Sequence, residues 1–69
     1  MRSVTTVLVN ATVIDAVRNL WELTLMTDDG SATVRKYEVR SKYPFKNSEI
    51  RRFEITLKGD KVIKIEPLD

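Results

Sequence analysis

The clearest structural signal in the chain lies in residues 20–40, which read LWELTLMTDDGSATVRKYEVR. Apolar and polar residues alternate on both sides of a polar turn at residues 28–30, and this two-residue period is typical of half-buried β-strands. Because glycine adopts a positive φ without strain, the glycine that ends the turn suits a three-residue hairpin loop. We therefore predict a β-hairpin with strands at about residues 20–27 and 32–40. The predicted inward-facing residues of its first strand are Trp21, Leu23 and Leu25.

The length of that loop also determines which side chains face each other across the hairpin. With a loop formed by Asp28-Asp29-Gly30, Trp21 lies opposite Tyr37. Glu22 then lies opposite Lys36. These aromatic and charge pairs would each add up to about 1 kcal/mol to the stability of the hairpin. A two-residue turn would lose both pairs, so we predict the three-residue loop.

Residues 4–17 are predicted to form a long first strand. Two adjacent apolar residues, Val13-Ile14, break its alternation and indicate a β-bulge or bend of the kind that lets one strand serve two sides of a barrel. A helix is the alternative, because Thr12 and Asp15 have the spacing of a capping box and apolar residues follow at helical spacing. The many β-branched residues here and the hairpin that begins at Leu20 favour the strand. The predicted inward-facing residues are Val7, Val9, Ala11 and Val13.

A second hairpin is predicted near the end of the chain. Residues 49–57 form its first strand, and a short fifth strand that ends at Pro67 follows a turn at Gly59-Asp60. Residues 41–48 contain Pro44 and a polar cluster, so they are predicted to form a loop or at most one helical turn. The apolar residues of the second hairpin are Phe53, Ile55 and Leu57 on one strand and Val62, Ile63 and Ile65 on the other. The chain is thus predicted to be a single all-β domain of five strands.

The composition limits the functions open to a chain of this size. Its 69 residues include neither cysteine nor histidine, which removes disulfides, thiolate metal sites and the commonest general base. Its two glycines both lie in predicted turns and form no phosphate-cradling loop. We therefore expect a non-catalytic protein with no cofactor and no metal, in which Asp28-Asp29 only builds the turn. A core this small is marginally stable, so a partner is expected to add stability.

The sequence also bears on where the protein acts. It shows no charged segment followed by an apolar one at its start, the pattern of a secretory signal. Its apolar runs are far shorter than the roughly 18 residues that a membrane-spanning helix needs. The absence of cysteine is compatible with a reducing compartment. We expect a cytoplasmic protein that does not cross a membrane.

Positive charge is concentrated in the second half of the chain. The net charge is only +2, but residues 35–64 hold ten of the 12 lysines and arginines, interleaved with aromatic residues. Single-stranded nucleic acid needs this combination, because cations contact its phosphates and rings stack under its bases. The predicted phosphate-binding residues are Arg35, Lys36, Arg40, Lys42, Arg51 and Arg52, and the predicted stacking residues are Tyr37, Tyr43 and Phe45. The alternative is that Tyr37, Phe45 and Phe53 belong to the core, as expected for Trp21, and that the cations form a solvated surface.

Two segments of the chain resemble those of a known family. They are VLVNATV at residues 7–13 and WELTL at residues 21–25, the latter followed by the turn DDGS. In this order they resemble the oligonucleotide/oligosaccharide-binding (OB) barrel. The resemblance implies a small antiparallel barrel that binds its ligand across strands two and three, between loops at Arg18-Asn19 and Gly59-Asp60. The helix that commonly joins strands three and four would have to fit within residues 41–48, so an SH3-like barrel is the alternative fold.

Three kinds of partner are compatible with these features. The first is single-stranded DNA or RNA, bound by the basic and aromatic residues of the second half. The second is a larger protein, such as a DNA- or RNA-processing enzyme, to which this chain would dock as an accessory subunit through a strand edge or through Trp21 and Tyr37. The third is a second copy of the same chain. The basic second half and the OB resemblance favour nucleic acid.

Overall fold

The structure, a computed structural model, describes residues 1–28, 30–47 and 49–68. The strands within it are β1 (Arg2–Asp15), β2 (Leu20–Thr27), β3 (Val34–Arg40), β4 (Arg52–Lys58) and β5 (Lys61–Pro67). All pair antiparallel in one sheet, in the order β3-β2-β1-β4-β5. The predicted all-β class with five antiparallel strands is confirmed.

The sheet curves into a loose barrel because β1 is long enough to serve two neighbours. It pairs with β4 from Arg2 to Val7 and with β2 from Thr6 to Asp15. The two edge strands, β3 and β5, approach each other but do not pair within the described part of the chain. The barrel is therefore open along one side.

The core is built from inward-facing residues of the strands, as the alternation predicts. Both Leu23 and Leu25 of β2 are buried, as are Phe53 and Ile55 of β4. The buried hydroxyl of Thr6 donates a hydrogen bond to the carbonyl oxygen of Phe53 (2.9 Å), which satisfies a polar group in apolar surroundings. The remaining buried apolar residues are Leu8, Ala11, Val39, Phe45 and Leu57.

Strand β1 contains two irregularities, and the sequence predicted one of them. Its pairing with β2 shifts between Val13 and Asp15, which confirms the predicted break at Val13-Ile14. It also shifts between Leu8 and Asn10, at Val9. Before this shift Thr6 and Leu8 are buried, so Val7 and Val9 (51% exposed) point outward, and after it Ala11 is buried whereas Val13 is 48% exposed. The prediction of Val7, Val9 and Val13 as inward-facing residues was therefore wrong, and that of Ala11 is confirmed.

The first hairpin forms with the predicted strand β2 but with a different register. Trp21 pairs with Val39, and Tyr37 pairs with Leu23. The predicted Trp21–Tyr37 pair was wrong, and so was the Glu22–Lys36 pair, because Glu22 faces Glu38 and Lys36 faces Thr24. The cause is a longer loop than predicted.

That loop is closed by hydrogen bonds between Thr27 and Thr33 rather than by a three-residue turn. The amide of Thr27 donates to the carbonyl oxygen of Thr33 (2.9 Å), and the amide of Thr33 donates to the hydroxyl of Thr27 (3.2 Å). Both Gly30 (φ 90°) and Ala32 (φ 52°) adopt positive φ. Because Ala32 belongs to the loop, β3 starts later than predicted. Asp29 lies outside the described residues, so its predicted role in the turn stays a prediction.

The second hairpin agrees more closely with its prediction. The turn at Gly59-Asp60 is confirmed, with a φ of 62° at Gly59. The pairing of β4 with β5 shifts by one residue at Thr56 and Leu57, and this leaves Ile63 without a partner in the register. Ile63 is accordingly 50% exposed, whereas Val62 and Ile65 pack against the core.

A short turn at residues 16–19, not a helix, joins β1 to β2. The carboxylate of Asp15 accepts hydrogen bonds from the amides of Val17 (3.0 Å) and Arg18 (3.2 Å). Asn19 completes the turn with a φ of 54°. The helix alternative that begins at Thr12 is therefore wrong, since Asp15 caps a turn instead, and the predicted strand is confirmed up to Asp15.

The connection between β3 and β4, residues 41–51, covers the core on the side of Trp21. Its described residues form neither helix nor strand, which confirms the predicted loop at residues 41–48 and shows that β4 starts at Arg52, three residues later than predicted. The ring of Phe45 packs edge-on against Trp21 (5.1 Å between centroids) and at a tilt against Phe53 (5.5 Å). Asn47 accepts a hydrogen bond from the amide of Ala11 (2.6 Å) and donates one to its carbonyl oxygen (3.0 Å). At Ala11, the Asn47 side chain thus makes the two hydrogen bonds that a neighbouring strand would make with this side of β1.

Candidate ligand-binding surfaces

The nine residues predicted to bind nucleic acid do not form one surface. Successive residues of a strand point to opposite faces, and this separates the predicted residues of β3. Arg35 and Tyr37 lie opposite Leu25 and Leu23, which are buried, so both are on the core-facing side. The others are Lys36 and Arg40 on the outer face of β3, Lys42, Tyr43, Phe45 and Arg51 in the connection, and Arg52 at the start of β4.

The aromatic residues mostly belong to the core. Phe45 is 7% exposed and Phe53 is fully enclosed, so neither ring is available to stack under a base. For these two residues the structure agrees with the alternative that the sequence left open. Trp21, Tyr37 and Tyr43 are half-buried and pack against the core. Any stacking on this protein would therefore use the exposed edge of a half-buried ring.

Two of the predicted cations have partners within the chain. The guanidinium of Arg51 lies over the ring of Tyr43, 5.5 Å from its centroid, and donates a hydrogen bond to the Tyr43 hydroxyl. Arg52 lies 3.9 Å from a carboxylate oxygen of Asp28, in a surface pair that is worth at most about 1 kcal/mol. Arg51 therefore helps to hold the connection in place, whereas Arg52 can exchange its weak partner for a ligand.

The outer face of β2 and β3 carries both signs of charge. Lys36 and Arg40 lie on this face, and between them Glu22 and Glu38 pair directly across the two strands. Like charges in directly opposed positions repel each other, and the neighbouring cations offset part of that repulsion. A polyanion would meet a mixed surface here.

An open groove of about 570 Å³ runs between the edges of β3 and β5. Arg40 on one side and Lys61 on the other supply positive charge, and Glu38 and Asp60 supply negative charge. Its apolar surface comes from one residue of β2 and two of β5. The lining residues are Leu20, Glu38, Arg40, Asp60, Lys61, Val62 and Ile63.

A second, smaller cleft of about 150 Å³ lies where β1 and β3 begin. It contains Arg35 and Tyr37 from the predicted set and adds Arg2, which the sequence analysis did not select. Arg2 lies on the core-facing side of β1 because it alternates with Val4 and Thr6 along the strand. This alternation is the sequence signal that could have identified Arg2 as a candidate binding residue.

The later half of β1 is paired on one side only. Beyond Leu8, whose amide donates to the carbonyl oxygen of Arg51 (3.0 Å), β4 no longer accompanies it. Among the described residues, Asn47 alone covers this edge, at Ala11. The exposed apolar residues on this half of the strand are Val9, Val13 and Ile14. Unpaired strand edges with apolar side chains favour the addition of another strand.

The described residues offer neither a metal-ligand cluster nor a helix that could cross a membrane. Among the described residues, no group of three or more carboxylates could hold a metal ion. The same part of the chain contains no helix whose length and apolar character would allow it to span a membrane.

The chain matches no protein-family model, and neither a curated protein nor a solved structure is significantly similar to it. The two grooves and the unpaired strand edge are therefore the features from which its function has to be inferred.

Proposed function

We propose that this chain is a non-catalytic, OB-like barrel that binds single-stranded nucleic acid along the groove between β3 and β5. The strand order supports the OB-like assignment. In β4-β1-β2-β3, three consecutive strands are followed by a fourth that returns through a longer connection to lie beside the first, which is a Greek key. The OB barrel is a partly open, five-stranded Greek-key barrel. For this reason we prefer it to the SH3-like alternative.

The position of the groove carries the proposal. OB barrels bind oligonucleotides beside strands two and three, between the loop that joins strands one and two and the loop that joins strands four and five. The groove of this chain begins at Leu20, directly after the first of these loops, and reaches Asp60 in the second. Its cations and its apolar residues therefore occupy the place where such a barrel holds a strand.

The groove would hold a strand by its phosphates and by apolar contact with its bases. Arg40 and Lys61 line the groove, the exposed Lys42 follows Arg40 in the connection, and the exposed Lys36 lies further along the outer face of β3, beyond Glu38. Phosphate contacts carry no sequence information, so binding should depend little on base sequence. Four such contacts predict that the logarithm of the affinity falls with the logarithm of salt concentration with a slope of about −3. The carboxylates of Glu38 and Asp60 keep the affinity modest.

Fluorescence anisotropy with labelled mixed-sequence DNA and RNA strands, each at several salt concentrations, tests the proposal. Arg40→Gln and Lys61→Gln should each weaken binding about three- to tenfold and reduce the salt slope by about 0.7. Lys64→Gln is the control, because it removes one positive charge from a residue of β5 that does not line the groove and that pairs with Glu66 (3.0 Å). Equal weakening by the control, or no binding at low salt, would overturn the proposal.

The unpaired edge of β1 favours a second candidate function, that of a protein-interaction module. A strand from a partner could pair with β1 near Val13, beyond the residue that Asn47 covers, and bury its exposed apolar side chains. A second copy of this chain is the partner that purified protein can test directly. Sedimentation equilibrium should then show a dimer that Val13→Lys dissociates. Val17→Lys, in the turn after β1 and 93% exposed, is the control. A monomer at all concentrations would exclude self-pairing and leave a different protein as the partner to seek.

A further inference from the structure

The small cleft at the start of β1 and β3 brings two arginines to the same end of the barrel. Arg2 pairs in register with Leu57, and Arg35 pairs with Leu25. Both leucines are buried, so both arginines lie on the core-facing side, at its exposed rim. The complete lining of the cleft is Arg2, Val4, Thr27, Ser31, Thr33, Arg35, Tyr37 and Leu57.

Hydroxyl groups form much of the remaining polar wall. The hydroxyls of Thr27 and Ser31 share a hydrogen bond (3.1 Å), and those of Ser31 and Thr33 share another (3.1 Å). This network fixes the loop that borders the cleft. The hydroxyl of Tyr37 has no hydrogen-bond partner among the described residues, although its ring packs against the core. Of the hydroxyl groups in this wall, that of Tyr37 is therefore available to donate a hydrogen bond to a ligand.

The charge of the cleft is not balanced within the described part of the chain. No described carboxylate lines it, although Asp28 lines an adjoining pocket with Arg2, and neither Arg2 nor Arg35 has a described carboxylate within the 4.0 Å of an ion pair. Arginines elsewhere in the chain differ: Arg18 lies 3.6 Å from Asp15, and Arg52 lies 3.9 Å from Asp28. A guanidinium offers planar, paired donors that match a phosphate, and two of them around one small cleft favour an anion between them.

We propose that this cleft is a phosphate-binding site, in which Arg2 and Arg35 contact the anion and the Tyr37 hydroxyl donates to it. The volume of about 150 Å³ suits a group of phosphate size. The site shares no lining residue with the groove between β3 and β5, so it does not depend on the function proposed for that groove. Its phosphate is either a free ion or the terminal phosphate of a nucleic-acid strand.

Titration of ¹⁵N-labelled protein with inorganic phosphate, at an ionic strength held constant with chloride, tests the site. Saturable NMR shifts should appear at the side chains of Arg2 and Arg35 and at the amide of Tyr37. Arg35→Gln should weaken phosphate binding about tenfold. Lys64→Gln, which removes the same charge from a residue that does not line the cleft, should leave it unchanged. Shifts that do not saturate, or that Lys64→Gln weakens as much as Arg35→Gln, would overturn the proposal.

A second variant guards against an effect on folding. Tyr37→Phe keeps the ring that packs on the core and removes only the hydroxyl. It should give a well-dispersed NMR spectrum and a several-fold weaker phosphate affinity. An unchanged phosphate affinity would remove Tyr37 from the site and overturn the proposal as stated.

A pair of short oligonucleotides, with and without a 5′-phosphate, distinguishes the two sources of the phosphate. If the cleft receives a strand terminus, the phosphorylated strand binds more tightly and Arg35→Gln abolishes the difference. If it receives a free ion, the two strands bind alike while inorganic phosphate still saturates the site. Failure of both strands to bind would contradict the proposed function of the groove but would leave the phosphate titration to decide the cleft.

Discussion

Two arginine–tyrosine pairs of this barrel use the same residue types for different purposes. In the connection, Arg51 lies over the ring of Tyr43 and donates to its hydroxyl, and Tyr43 packs edge-on against Phe53 (5.4 Å). On β3, Arg35 and Tyr37 also share one face, but no contact between them or with a carboxylate is present among the described residues. The first pair is satisfied within the chain, whereas the second faces a cleft.

The difference shows that an internal partner, not residue type, decides whether a cation is available to a ligand. Arg51 would have to give up its contacts with Tyr43 to bind a phosphate, and that cost would reduce the affinity. Arg35 would give up no ion pair or hydrogen bond with a described residue. Variants at the two pairs should therefore separate stability from binding.

The largest effect is expected where the connection enters the core. Phe45→Ala removes a ring that packs against Trp21, Tyr43 and Phe53. It should reduce the free energy of unfolding by about 3–5 kcal/mol, a large part of the total for a domain of this size. Urea unfolding followed by circular dichroism measures the change. Ile50→Ala, in the same connection and 91% exposed, should change stability by less than about 0.5 kcal/mol. Similar losses for both variants would show that the connection does not anchor the core.

The arginines should give an intermediate effect that differs between the pairs. Arg51→Gln removes the contact with the Tyr43 ring and the hydrogen bond to its hydroxyl, and should cost about 1–2 kcal/mol of stability. Arg35→Gln should change stability by less than about 0.5 kcal/mol, because its guanidinium has no ion pair or hydrogen bond with a described residue to lose. Urea midpoints of the two variants provide the comparison. A larger loss for Arg35→Gln would mean that the cleft is held together by Arg35 and is not an open site.

The sequence predicted the five strands because the alternation of apolar and polar residues along a strand is a local property of the sequence. It located β2 to the residue and both glycine turns. The register of the first hairpin was missed because it depends on the left-handed conformation of Ala32, which nothing about an alanine signals. The irregularity at Val9 was missed because an extra residue within the apolar stretch Val7-Leu8-Val9 looks like its neighbours.

The candidate sites were less predictable than the fold. Cations that cluster in sequence were expected to form one surface, but Arg35 and Lys36 point to opposite faces of β3. That separation follows from the alternation and could have been predicted. The contact between Arg51 and Tyr43 could not, because it depends on the path of an irregular connection. Nor could the meeting of Arg2 with Arg35, since it depends on how the sheet curves.

The smallest effect is expected from the tyrosine hydroxyls, and it tests the comparison most directly. Tyr43→Phe removes the acceptor of the Arg51 hydrogen bond and should cost about 0.5–1.5 kcal/mol, whereas Tyr37→Phe should cost close to nothing because its hydroxyl has no partner within the described residues. A double-mutant cycle with Arg51→Gln isolates the pair, since the other contacts of Arg51 cancel. The cycle should give a coupling energy of about 1 kcal/mol for Arg51 with Tyr43 and none for Arg35 with Tyr37. Equal coupling in both cycles would mean that the second pair is also satisfied within the chain, and the cleft would then have no free cation on β3 to offer a phosphate.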